Sequence, residues 1–315
     1  RQRQMCIRDR KENRKKLVDR IIENMERGYI FTNKEWYVAA FHPYNPLSRA
    51  YYHGGNRFRL MFAAMDQGFK DPRWMTFKQA KKAKYRIKKD AKGEILEKWI
   101  FTKIEKVKNE FGVIEEKEVE LEHPYVRYFV VFNAEQVDGI EPLEDIPEVT
   151  YDGTLKIADT MIRSSLCKIN EGERDRAFYS GKNDVICLPD RKYFKSSEAF
   201  LSVLTHEMGH STGHPDRLNR RVINKFGSEE YAIEELNAEI ASTFIMSDLN
   251  VNMEKEIFDD HTNYIKSWIK RLEDDPNIFF QACSEAEKIS NFLYLNYLSQ
   301  KEKDEKNGML SKLSA

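Results

Sequence analysis

The 315-residue sequence predicts an α+β protein of two domains: an α+β unit over residues 11–138, a linker at 139–150 and a mostly helical unit over 151–302. Three observations carry that division. First, the neutral formal charge hides a split: the first hundred residues hold 25 Lys and Arg against 11 Asp and Glu, the remainder 27 against 41. A basic front joined to an acidic body points to a partner-binding module attached to something else. Second, strand-like alternation is confined largely to the front half, in "EKWIFTKIEKV" and "VRYFVVFNAEQV", whereas helical spacing dominates after residue 150. Third, "GIEPLEDIPEV" at 139–149 combines two prolines with four acids and reads as a connecting segment.

In chain order, Leu17, Ile21, Ile22 and Met25 give a helix from about Lys11 to Glu26. The opening "RQRQMCIRDR" is assigned no role in the fold. "FHPYNPLSRAYYHGGN" (41–56) is a loop, followed by a short helix over 57–67, a turn at "DPRW" and a helix over "TFKQAKKA". After the linker come a helix near 153–168, short strands in "RAFYS" and "DVICLP", and helices near 197–212, 229–248, 255–273 and 278–300. The tail after Gln300 is polar and expected to fray. The four scattered cysteines argue against a disulfide framework or a cysteine zinc site. No apolar run is long enough to span a membrane and no signal-peptide core is present, so the cytoplasm is the expected location.

"LTHEMGHSTGHPD" (204–216) carries the clearest chemistry. His206 and His210 lie four apart, which on a helix stacks both rings on one face, while Leu201, Leu204 and Met208 supply the buried stripe. Glu207 sits about 100° round the helix from His206. This HExxH pattern binds zinc through its histidines and uses the glutamate as general base on an activated water. Gly213 and Pro215 end the helix before His214 can join the stripe. For the third ligand, projection of "EEYAIEELNAEIASTFIM" places Glu239 inside an apolar stripe, Glu235 at its margin and Glu234 toward solvent. A carboxylate in an apolar stripe needs a cation or a strong set of donors, so Glu239 is the expected ligand, with Glu235 and Asp216 as alternatives. Two His and a carboxylate suit Zn2+ and tolerate Mn2+. "DVICLP" is a candidate edge strand for an extended peptide, and Tyr264, with His261, a candidate for polarising a scissile carbonyl.

Longer motifs resemble one family over most of the chain. "HEMGHSTGHPDRLNR", "FGSEEYAIEELNAEIAS" and "HTNYIKSWIKRL" are similar to the zincin-like metallopeptidase domain of ArdC-type antirestriction proteins. "NPLSRAYYHGGN", "DPRWMTFKQAKK" and "YFVVFNAEQV" resemble that family's N-terminal single-stranded-DNA-binding domain. The resemblance implies a protein of plasmids, phages or conjugative elements that binds single-stranded DNA and protects it from restriction. It also implies that His206 and His210 ligate a metal and that Glu207 is the catalytic acid and base.

Single strands are held by a positive groove with aromatic platforms for the bases. "RAYYHGGN" offers Arg49, Tyr51, Tyr52 and Asn56, and "DPRWMTFKQAKK" offers Arg73, Trp74, Lys78, Lys81 and Lys82. The expected partners are therefore single-stranded DNA and a protein substrate, with no membrane. Two other readings use the same residues. One is a peptidase with no nucleic-acid role; the other is a non-enzymatic DNA coat stapled by a structural metal.

Overall fold

The computed structural model describes residues 2–26, 41–144, 149–220, 228–251 and 261–313. The fold is mixed α+β. Helices α1 (Gln2–Glu26) and α2 (Gly54–Gln67) precede strand β1 (Trp74–Thr76), helix α3 (Phe77–Lys82) and strands β2 (Arg86–Ile87), β3 (Glu94–Lys108), β4 (Ile114–Asn133) and β5 (Val137–Asp138). The second half contains α4 (Tyr151–Ser164), β6 (Lys168–Gly172), β7 (Phe178–Ser180), β8 (Val185–Pro189), α5 (Ser197–Ser211), α6 (Glu229–Asp248), α7 (His261–Asp274) and α8 (Asn277–Leu313).

In the front half, β4 pairs antiparallel with β1 and β3, and β2 pairs with β5. In the second half β8 lies between β6, which is parallel to it, and β7, which is antiparallel. "DVICLP" is thus a central strand and not the expected edge. In the strand itself all but Val185 are buried, and its continuous apolar run fits a strand covered on both faces. Among the described residues the edges of this sheet are β6 and β7, and β7 is the one that packs on α5. The opening ten residues, assigned no role, continue α1 from Gln2, and the tail expected to fray continues α8 to Leu313.

The expected division at 139–150 follows the chain but not the hydrophobic core. Leu17, Val18, Ile21 and Met25 of α1, with Phe58, Met61 and Phe62 of α2, are buried in one cluster with α5, α6, α7 and α8. The other side of α2, through Leu60, Ala63 and Ala64, packs on Trp74, Leu96 and Val131 of the front sheet. Helix α2 is therefore shared between two cores. Its approach to α8 is close: a Cβ at Gly55 would lie 2.4 Å from Cδ1 of Phe280, so only glycine lets the backbone pass beneath that ring.

At the centre of this contact Arg57 is fully buried. Its guanidinium donates to Asp248 Oδ1 at 2.9 Å and to the Phe244 carbonyl at 2.6 Å, both on α6, and lies 3.7 Å from Glu287 of α8. The loop before α2 adds to the same carboxylates. His42 Nδ1 meets Asp248 at 2.7 Å, His53 Nδ1 meets Glu287 at 2.9 Å, and the Gly54 amide donates to Glu287 at 3.0 Å. Removing one partner from a buried ion cluster leaves uncompensated charge, at a cost of about 3–5 kcal/mol. Arg57→Leu is expected to lose stability on that scale in urea unfolding. A loss below about 1 kcal/mol would mean that the histidines alone neutralise the two acids.

Candidate metal centre

Helix α5 starts where Ser196 accepts a hydrogen bond from the Ala199 amide at 3.0 Å, and it buries Leu201, Leu204 and Met208 as the spacing requires. It ends at Ser211, so His214 leaves the helical stripe, as the glycine and proline demand. The His206 and His210 rings stand edge to face with Nε2 atoms 3.0 Å apart. Glu235 closes the group, with one oxygen 3.4 Å from His206 Nε2 and the other 3.5 Å from His210 Nε2. One donor atom from each of the three residues lies within 4.8 Å of the others, and all three side chains are nearly buried.

Glu235, which projection put at the margin of α6, thus occupies the third position expected for Glu239. Glu239 lies behind the cluster, 3.5 Å from His206 Nδ1. Glu234, expected in solvent, is buried and meets His210 Nδ1 at 3.2 Å. The reason is that α6 is buried on every side from Glu234 to Ser247, so no polar face exists there to orient the projection. Asp216, the other alternative, is exposed and donates its backbone amide to His214 Nδ1 at 3.2 Å. Tyr264 and His261 lie in the first turn of α7, where side chains fall outside the described residues.

Each ring therefore turns Nε2 inward and Nδ1 toward a carboxylate, the arrangement that fixes tautomer and orientation in metal-binding histidines. Glu234 is in turn paired with Arg220, whose guanidinium also donates to the Gly209 carbonyl at 2.8 Å and to Thr212 Oγ1 at 3.0 Å. Arg217 donates to the Ser211 carbonyl at 2.6 Å and pairs with Asp184. Two arginines of "HPDRLNRR" thus satisfy carbonyls at the end of α5.

The electrostatics fit a cation. Burial opposes charge on His210, but Glu235 and Glu234 outweigh it and hold the ring protonated well above its ordinary range. His206 is raised for the same reason, burial being outweighed by Glu239 and Glu235. Burial likewise opposes charge on Glu235, yet His210 and His206 keep its carboxyl well below the usual range. Glu207 is buried beside them, and burial raises its carboxyl while His206 and His210 pull it partly back. Two imidazole nitrogens and a carboxylate that need a shared positive charge are the donor set of a three-ligand metal site. Among the described residues one other group has metal-ligand spacing, namely His42, His53 and Glu287. There both His42 nitrogens face acceptors, Asp248 and the Tyr52 carbonyl, and Arg57 already supplies the cation.

The front-half residues expected at DNA divide sharply. Trp74 is 1% exposed and sits in the small core, and Arg73 is buried and paired with Asp71 at 2.6 Å. The Tyr52 hydroxyl donates to the Trp74 carbonyl at 3.1 Å, and Asn56 exchanges two hydrogen bonds with the Glu97 backbone. These four hold the fold together. Arg49, Lys78, Lys81 and Lys82 are exposed. Tyr51 and Phe77, 54% and 58% exposed, stand among them. Phe77 went unnoticed in the sequence; its signal is the capping box of Thr76 and Gln79, which makes it the outward first residue of α3.

A zincin-like metallopeptidase model matches residues 156–285, and a model of the N-terminal domain of anti-restriction factor ArdC matches residues 11–132. The chain belongs to the ArdC-type antirestriction family, in which a zincin-like domain follows the ArdC N-terminal domain. Its likeness to individual proteins follows the same line. The metal-free crystal structure of antirestriction protein ArdC from the R388 plasmid superposes with a TM-score of 0.69 at 28% identity, covering 91% of this chain and 98% of that one. The Mn(II)-bound structure of the same protein gives 0.68 at 27%, covering 90% and 97%. A DNA primase TraC of Escherichia coli is 38% identical over 88% of this chain, and the matched region is 26% of the primase. The uncharacterized protein y4eC of Sinorhizobium fredii is 29% identical, over 89% of this chain and 90% of its own length. The chain thus spans about a quarter of the TraC primase it matches. A zincin-like domain implies a metal, and the relative that binds Mn(II) shares the fold.

Glu235→Gln is expected to weaken metal binding more than Glu239→Gln or Glu234→Gln, whose loss as orienting groups costs roughly 10–100-fold. Isothermal titration with Zn2+ and with Mn2+ checks the order. A larger effect at Glu239 would return the third position to the residue chosen by helical projection.

Proposed function

We propose that the chain binds single-stranded DNA through its front half and hydrolyses peptide bonds at a zinc site, as part of protecting incoming DNA from restriction. The observation that carries the hydrolytic reading is the convergence of His206 Nε2, His210 Nε2 and Glu235, with the buried Glu207 beside them. His206, His210 and Glu235 would hold Zn2+, with Mn2+ as a second occupant. When held there, the ion would supply Lewis acidity for a water nucleophile and for the scissile carbonyl. Glu207 accepts the proton of the attacking water and delivers it to the departing amine, so that one water is consumed per bond cleaved. Its raised carboxyl suits both halves of that transfer. The Tyr179 backbone on β7 helps hold the Glu207 carboxyl down, which supports reading β7 as the strand nearest the reaction. An extended substrate can add to its edge by backbone pairing.

The nucleic-acid reading rests on Tyr51 and Phe77, exposed aromatics flanked by Arg49, Lys78, Lys81 and Lys82. Asn45 ties the two segments together: its amide donates to Gln79 of α3 at 3.1 Å, and its carbonyl oxygen accepts from the Leu47 and Ser48 amides. Stacking platforms set among cations bind single strands without sequence readout.

Two measurements test these halves separately. Glu207→Gln should abolish cleavage of an unfolded protein substrate while leaving metal and DNA affinity unchanged; retained cleavage would remove Glu207 from the chemistry. In fluorescence anisotropy the full chain should prefer single strands to duplex, with affinity falling steeply as salt rises. Tyr51→Ala and Phe77→Ala should each cost about 1–3 kcal/mol of that binding. Equal binding of duplex, or no effect of either aromatic, would move the DNA surface elsewhere or eliminate it.

A further inference from the structure

Beyond the body of the molecule β3 and β4 continue as a two-stranded arm. The base of the arm is anchored: Leu96 is in the small core, and Glu97 receives Arg14 Nε at 2.8 Å. From Phe101 to Glu120 no residue is buried, so the ribbon meets solvent on both faces. A two-stranded ribbon is marginal in water by itself. This one also exposes apolar side chains along its length, with Ile104 at 68%, Ile114 at 61% and Phe111, at the tip, at 88%. A patch of that kind marks a surface that is covered by a partner.

Charge narrows the partner. Residues 101–122 hold four lysines and seven glutamates, which repel a phosphate backbone. The register then sorts those charges by strand on one face. Ile104 faces Glu118, Lys106 faces Glu116 and Lys108 faces Ile114. On that face β3 is basic and β4 acidic, with an isoleucine at each of two diagonal corners. The opposite face mixes the signs on both strands, pairing Glu105 with Lys117 and Val107 with Glu115.

A surface with one basic and one acidic strand is complementary to itself in one arrangement only. Two arms stacked about a two-fold axis running along the strands place β3 of each over β4 of the other. Lys106 then meets Glu116 of the second copy, twice, and the two tips with Phe111 lie side by side. Turning the two-fold across the strands would instead set Lys106 on Lys106 and Glu116 on Glu116. We propose that this arm face is a homodimer interface, built from Ile104, Lys106, Lys108, Ile114, Glu116 and Glu118, which a second copy of the chain covers with β3 over β4. The surface is separate from the metal centre and from Tyr51 and Phe77, so it stands whether or not the chain cleaves protein or binds DNA.

The test is the mass of the full chain by sedimentation equilibrium, from micromolar to hundreds of micromolar. The chain should dimerise. Lys106→Glu with Lys108→Glu makes the face uniformly acidic, and Glu116→Lys with Glu118→Lys makes it uniformly basic. Each double variant should be monomeric with an unchanged melting temperature, since the arm lies outside both cores. Mixing the two variants should restore a dimer, because each strand again meets its opposite. A wild-type chain that stays monomeric throughout overturns the proposal. So do variants that still dimerise alone, and so does a mixture that stays monomeric. If a double variant melts early, Ile104→Glu provides an independent disruption, because it sets an acid over Glu118 of the second copy, and retention of the dimer there also overturns it.

Discussion

The guanidinium of Arg57, held away from water between three helices, is the constraint on which the rest of the molecule depends. A cation in that position is tolerable only if carboxylates reach it, and Asp248 and Glu287 come from two different helices of the second half. Its own helix is packed on both sides, against the front sheet on one and the large core on the other. Ion pairing and apolar packing therefore impose the same placement, and the loop carrying Tyr51 is drawn in through His42 and His53. Hydrophobic contact alone would allow α2 to slide along α8. The directional bonds to the Phe244 carbonyl and to Asp248 set where it stops.

Helix α6 meets a second constraint of the same kind. It brings three carboxylates, Glu234, Glu235 and Glu239, into a region with almost no water. Each is matched: Glu234 by Arg220 and the outer nitrogen of His210, Glu239 by the outer nitrogen of His206, Glu235 by the two inner nitrogens. The inner match is the weak one, because it relies on protons held by two adjacent imidazoles that repel each other. A divalent cation resolves that conflict, and this is why the donor set reads as a metal site.

What was legible in the sequence follows from how local each signal is. The four-residue spacing of His206 and His210, the stripe of Leu201, Leu204 and Met208, and the stop at Gly213 are properties of one helix, and the structure keeps all of them. The alternation in β3 and β4 is similarly local. The choice among Glu234, Glu235 and Glu239 was not legible, because projection needs a solvent side and α6 has none from Glu234 to Ser247. Trp74 and Arg73 sit in a short strand covered by α2, a contact between residues far apart in sequence that no local pattern encodes. "DVICLP" looked like an edge because nothing in a five-residue strand reveals how many neighbours it has.

The burial of α1 in the large core, and the sharing of α2 between two cores, have a consequence for how such a chain can be inherited. Recombination at the segment around 139–150 would separate the two matched regions but leave Leu17, Phe58, Met61 and Arg57 without the surfaces that cover them. A break there uncovers buried surface on both pieces, whereas a cut outside the whole block leaves every contact intact. The match to a TraC primase runs across nearly all of this chain inside a protein about four times as long, as expected if the unit moves between genes undivided. What looks on paper like two modules joined by a linker is, for the purposes of gene shuffling, a single indivisible part.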